Sequence, residues 1–93
     1  MSVDYQPHPY RQGQAYCVRT VTQVFIGRLA VVLPGEIVLY DASWVADTGR
    51  WSVALATGAL RDVEPYPDGP VVVSRAAIVD VCEWAHALPR GAR

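Results

Sequence analysis

The chain contains no lysine, one methionine, one phenylalanine and only two cysteines among its 93 residues. All eight of its positive side chains are therefore arginines, scattered along a sequence whose formal net charge is −1. Binding to a DNA or RNA polymer draws on a clustered cationic face, and no such cluster exists here. The missing lysine is what a GC-rich genome produces. It also leaves the chain only forked guanidinium donors, which suit phosphate and carboxylate. Cys17 and Cys82 form no CxxC and stand in no His/Cys group with metal spacing, so both read as small buried hydrophobes, with no metal or cofactor expected. No stretch approaches the ~20 apolar residues of a membrane span. The opening MSVDYQPHPYRQGQ lacks an apolar core of signal-peptide length, so a reduced cytoplasmic setting is expected.

What the chain does have is apolar residue: 52% hydrophobic against 18% charged. A single domain of this length buries a limited share of its surface. The excess therefore points to a subunit contact and a homo-oligomer. Residues 1–14, with Pro7 and Pro9 between Tyr5 and Tyr10, read as an extended arm. Residues 15–88 read as one β-rich domain and residues 89–93 as a fraying tail.

The stretch GRLAVVLPGEIVLYDASWVADTGRWSVALATG, residues 27–58, organises the rest. Leu29 to Leu33 and Glu36 to Ala42 have strand patterning around Pro34-Gly35, a dipeptide suited to a type II turn with positive φ at the glycine. The two strands should form an antiparallel hairpin. Trp51 to Thr57 follows with helical spacing, placing Trp51, Ala54 and Leu55 on one face, Asp47 or Thr48 at the N-cap and Gly58 as the left-handed terminator. Before the hairpin, residues 15–33 are too long for one strand and should break near Thr22-Gln23 or Gly27. An unbroken strand would put Val18 and Ile26 on one face, Cys17 and Phe25 on the other. Pro65 and Pro67 argue against a central strand over residues 60–66, and Val71 to Val73 restarts one. Residues 74–88 fit two patterns: a helix with Ile78, Val81, Cys82, Ala85 and Leu88 as its stripe, or a strand centred on Ile78, Val79 and Val81.

No GxSxG, HExxH, P-loop or GxGxxG arrangement occurs. His8 and His86 lie near opposite ends of the chain, Asp41 and Asp47 suit turns or caps, and no nucleophile–base pair is legible. The chain is read as a non-enzyme. Trp44, Asp47, Thr48, Arg50 and Trp51, with Arg28 before the hairpin, make the one suggestive grouping. Aromatic rings stack on bases and guanidinium groups pair with phosphates. The plainer alternative makes both tryptophans core and Arg50 a solvated turn residue.

The residues Gly27, Glu36, Val38, Asp41, Ala42, Trp44, Leu55, Ala56, Gly58 and Ile78, in the order GRL…GEIVLYDASW…LATG…IVDVCEW, resemble the small phage-encoded anti-defence sponges of the Thoeris anti-defence group and their relatives. The similarity spans about Phe25 to Glu83, and the 59–74 connection departs from it. The resemblance implies a mainly β fold, a small antiparallel barrel or sandwich with one short helix at about 49–58, and favours the strand for 74–88. It implies a homo-oligomer in the cytoplasm (of the host, for a phage-encoded chain) that sequesters a small cyclic nucleotide signal without cleaving it. Arg28, Trp44, Arg50, Trp51 and Arg75 are then the expected ligand-binding residues. The rival expectation is a homo-oligomeric structural or protein-interaction module, of phage assembly or the virion, that holds no small molecule.

Overall fold

The computed structural model describes residues 8–91. In chain order it forms strands β1 (Ala15–Thr20), β2 (Val24–Val32) and β3 (Glu36–Asp47), helix α1 (Trp51–Thr57), then β4 (Asp62–Pro65) and β5 (Val71–Ser74), a 3₁₀ turn at Arg75–Ala77 and β6 (Ile78–Glu83). The strands make one six-stranded antiparallel sheet of order β4-β3-β2-β1-β6. The long strand β3 carries two neighbours on its far side. β5 pairs with its first half, Ile37 opposite Val73, and β4 with its second half, Val45 opposite Val63. The fold is mainly β with one short helix, as expected. The 74–88 ambiguity resolves to a strand.

β5 and β6 lie at opposite ends of the path β5-β3-β2-β1-β6. In a flat sheet they would stand roughly 19 Å apart, at about 4.8 Å per strand spacing. The three residues Arg75–Ala77 join them in a tight 3₁₀ turn, which rises only about 2 Å per residue. The sheet must therefore roll, and it stays open, since β5 and β6 do not pair. Its two faces bury separate clusters. Inside the roll are Tyr16, Val18, Phe25, Leu29, Ile37, Leu39, Ala42 and Val73. The outer face buries Ala15, Cys17, Ile26, Val45, Val63 and Trp84 beneath Ala54 of α1 and Leu60.

The predicted break in residues 15–33 is a hairpin turn after Thr20, closed by Thr20 N–H donating to the Gln23 carbonyl at 2.7 Å. Folding back there pairs Val18 with Phe25 and Cys17 with Ile26. The side-chain partners are thus the reverse of those an unbroken strand would give, because the turn resets the alternation.

Two bulges in the β2–β3 pair set the rest of the pattern. Ile26 faces Ser43, but Arg28 faces Tyr40, so β3 carries an extra residue, and Asp41 takes φ 50° there. Between Leu29–Leu39 and Val31–Val38 the extra residue lies on β2 instead and restores the register. A bulge shifts the two-residue period by one. Ile37 and Leu39 therefore point into the roll, while Val45 points to the outer core. Gly27 stands opposite the β3 bulge, where a Cβ would come within 3.0 Å of Ala42 Cβ and 3.2 Å of Leu39 Cβ.

Several local expectations change. The Pro34-Gly35 hairpin forms, with Leu33 N–H donating to the Glu36 carbonyl at 2.8 Å. Gly35 is not among the positive-φ glycines, so the turn is not type II. Instead Arg75 clasps it: its N–H donates to the Gly35 carbonyl at 3.0 Å and its Nη1 to the Leu33 carbonyl at 3.1 Å. Helix α1 ends at Gly58, φ 79°, as predicted, but its N-cap is Arg50, with no side-chain cap bond. Asp47 accepts from Gly49 N–H within the preceding turn. Of the expected helix face, Ala54 is buried and Trp51 half-buried, whereas Leu55 is exposed. Residues 62–65 do form a strand, but an edge strand, where Pro65 removes no ladder bond inside the sheet.

Both chain ends pack on the domain as far as they are described. Tyr10 packs against the inner cluster and Arg11 N–H donates to the Tyr16 hydroxyl at 2.8 Å. The part of the expected arm before His8 lies outside the described residues. At the other end the predicted fraying does not begin at Pro89. Its carbonyl accepts from the buried Ser43 hydroxyl, and Arg90 donates to the carbonyls of Ala42 and Tyr66 at 2.7 and 3.0 Å.

Candidate functional site

The five residues expected to bind a ligand are set to different tasks. Arg28 leaves β2 on the exposed side and its Nη1 donates to the Gly13 carbonyl at 2.9 Å. Arg75 is occupied with the turn carbonyls already described. Trp51 packs on the outer core, and the guanidinium carbon of Arg19 sits 5.0 Å from the centre of its ring. Arg50 is exposed and lines a shallow depression of about 300 Å³ with Thr48, Gly49, Val53 and Leu60. Trp44 alone offers an open aromatic surface, with 37% of the residue accessible although it sits mid-strand opposite Phe25.

Trp44 lines a different depression, of about 370 Å³, at the end of the sheet formed by the β1–β2 turn. Arg19, Thr20, Gln23 and Val79 line it too. The bulge at Asp41 is what brings Trp44 here. It puts Val45 in the outer core and leaves its neighbour facing the other way. Thr20 fixes the turn by accepting from Gln23 N–H through its hydroxyl oxygen, at 3.0 Å.

Arg19 was not singled out by sequence. Its partner Asp80 lies sixty-one positions away and becomes its neighbour only when β1 pairs with β6. The guanidinium grips the carboxylate in a fork: Nε donates to Oδ1 at 2.8 Å and Nη2 donates to Oδ2. That hydrogen bonding holds the Asp80 carboxyl below its ordinary range and raises Arg19 above its own. Nη1 of Arg19 is left over for another acceptor, a donor geometry that lysine lacks. The depression thus wraps the end of the sheet: an accessible indole bounds it on the inner-face side, a guanidinium braced by a carboxylate and a second indole bounds it on the outer-face side, and the hydroxyl and amide groups of the turn lie between them. Planar rings stack on the first, and an anion pairs with the second.

His86 packs between α1 and Trp84. Its Nε2 lies 2.7 Å from the Leu55 carbonyl, and its ring meets Trp84 edge-on with centroids 5.0 Å apart. Cys17 and Cys82 are free and face one another across β1 and β6. Burial pushes the Cys17 thiol up to about 12, with Cys82 adding to it, and burial likewise raises Cys82. Both are poor nucleophiles at neutral pH. Among the described residues no three of His, Cys, Asp and Glu gather as a metal site, and no helix is long and apolar enough to cross a membrane.

Comparison with protein-family models, curated proteins and solved structures finds no match.

Proposed function

We propose that the chain is a non-catalytic binding protein that holds a small nucleotide-like ligand at the Trp44 depression, as a homo-oligomer. One observation carries the reading: a half-open tryptophan lining, together with a braced arginine, a hollow of about 370 Å³. That volume falls within the ~300–1,000 Å³ usual for small-molecule sites. A base stacks on Trp44, a phosphate pairs with the spare nitrogen of Arg19, and Thr20 and Gln23 supply polar contacts. Of the residues expected from sequence, only Trp44 is retained in this site. The resemblance over about Phe25 to Glu83 makes a cyclic signalling nucleotide the first ligand to try, and sequestration during phage infection the corresponding role.

Native mass spectrometry of protein purified from cells producing a cyclic signalling nucleotide tests this. The expected spectrum shows ligand mass that leaves intact on denaturation and is missing from Trp44→Ala. Protein of bare chain mass, or a cleaved product, contradicts the proposal.

The rival reading, a protein-interaction module, is favoured by a different observation. Val31, Val38 and Val72 lie side by side across β2, β3 and β5, and Tyr40 follows on β3. Val31, Tyr40 and Val72 are 41%, 45% and 55% exposed. Purified protein without ligand but with a stoichiometric protein partner would favour that reading.

A further inference from the structure

Edges of a sheet invite pairing with another chain, and native proteins block them with charge, proline or bulges. The free edge of β4 carries Asp62, Glu64 and Pro65. That of β6 carries Asp80 and Glu83 and a register shift opposite Arg19 and Thr20. Among the described residues β5 pairs with β3 alone, and its free edge, sequence VVVS, has none of these: no charge, no proline and an unbroken register with β3.

The hydrogen-bond phase of β5 follows from its end. Arg75 N–H donates to the Gly35 carbonyl, which makes Arg75–Gly35 a bonded pair in the register that sets Val73 opposite Ile37. Bonded pairs alternate. Val71 and Val73 therefore turn their backbone groups toward β3, and Val72 and Ser74 turn theirs outward. Val72 and Ser74 are both exposed.

We infer that β5 is a self-association edge: two copies of the chain pair β5 with β5 antiparallel, about a twofold axis at Val73. In that register Val72 of each copy meets Ser74 of the other, so all the outward N–H and C=O groups bond. Val73 meets its own copy, Val71 meets Arg75, and no like charges oppose. Pairing centred on Val72 would place Pro70, which has no N–H, against Ser74 and forfeit bonds. The twofold register also brings the exposed row Val31, Val38 and Val72 of one copy up to that of the other as one continuous sheet surface. This inference concerns the oligomer of the proposed function and stands whether or not a nucleotide binds.

Ser74 provides an unusually clean test. Its φ is −66° and ψ 128°, values proline adopts without strain, and its side chain makes no cap bond. Ser74→Pro therefore removes an outward N–H and leaves the bonds to β3 in place. Sedimentation equilibrium of the full chain should show a dimer, and Ser74→Pro and Val72→Lys should each be monomers with unchanged circular dichroism. Amide exchange should slow at Val72 and Ser74 as wild-type concentration rises. A wild-type monomer at several hundred micromolar overturns the inference, and so does a dimer that persists in both variants.

Discussion

Gly58 and His86 occupy one shared space: a Cβ on Gly58 would stand 2.7 Å from the imidazole Cγ of His86. The same glycine needs φ 79° to end α1, with its N–H donating to the Ala54 carbonyl. The helix stop and the seat of the C-terminal segment are thus one residue. Any side chain there meets a left-handed backbone, at roughly 1–2 kcal/mol, and displaces the ring that caps Leu55. Gly58→Ala should lower unfolding free energy by about 2 kcal/mol or more, read from denaturant midpoints. His86→Ala, which loses one hydrogen bond, should cost about 1 kcal/mol.

Asp41 makes the opposite prediction. It is the one non-glycine residue with positive φ among those described, and its short polar side chain tolerates that region better than most. Asp41→Gly should leave stability unchanged or raise it by up to about 1 kcal/mol, since glycine adopts the bulge without strain. Asp41→Val, β-branched, should destabilise by about 2 kcal/mol. Thermal melts of the two variants separate a backbone role from a side-chain one.

These positions mark where the sequence was legible. The β2–β3 hairpin, the Gly58 stop and the strand at Val71 follow from β-branched runs and turn residues, whose preferences are local. Gly27 is the one sign in the sequence of the Asp41 bulge that it stands opposite, and nothing marks the bulge beside Ala30. Yet the first puts Ile37 and Val45 on opposite faces and the second lets Leu29 and Val32 pack on the same one. The form of the Pro34-Gly35 turn depends on Arg75, forty-one positions on. The site suffered for the same reason. Trp44 and Trp51 look alike in sequence, and only the α1 packing and Arg19 seat one of them against the outer core. Arg19 acquires its meaning from Asp80 and Trp51 together.

The thiols predict an alkaline weakness. Unfolded cysteine ionises near pH 8.5, whereas the folded Cys17 is held neutral up to about 12. With the folded value raised, its contribution is complete below about pH 8.5 and is lost as pH climbs toward 12. Denaturant midpoints should fall over that window, and Cys17→Ala should flatten the decline. At pH 8 a disulfide reagent should label native Cys17 far more slowly than the unfolded chain.

Asp80 acts at the other end of the scale. Its folded value is depressed by the Arg19 hydrogen bonds, so its contribution is present above the ordinary carboxyl range near 4 and is lost as pH falls below it. The pair is exposed, so the effect is small and salt-sensitive. Asp80→Asn should make the acid side of the stability profile shallower. It should also release Arg19, which chemical-shift changes at its Nε would report.

Trp51→Ala and Trp44→Ala should part company. Removing Trp51 opens the outer core under α1 and should cost about 2–3 kcal/mol. Removing Trp44 takes away a half-exposed ring and should cost less than about 1.5 kcal/mol while abolishing ligand retention. Melting curves set beside native mass spectra distinguish stability from binding.

The most direct measurement is a titration of the three tryptophan indole N–H signals, assigned by single substitution, with cyclic AMP, a cyclic dinucleotide and ADP-ribose as probes. At least one probe should saturate, shifting Trp44 most, with the Arg19 side-chain signal moving in step and Trp84 still. If no probe moves Trp44 at millimolar concentration, or if a saturating probe shifts Trp51 or Trp84 and leaves Trp44 in place, the Trp44 hollow is not a nucleotide site.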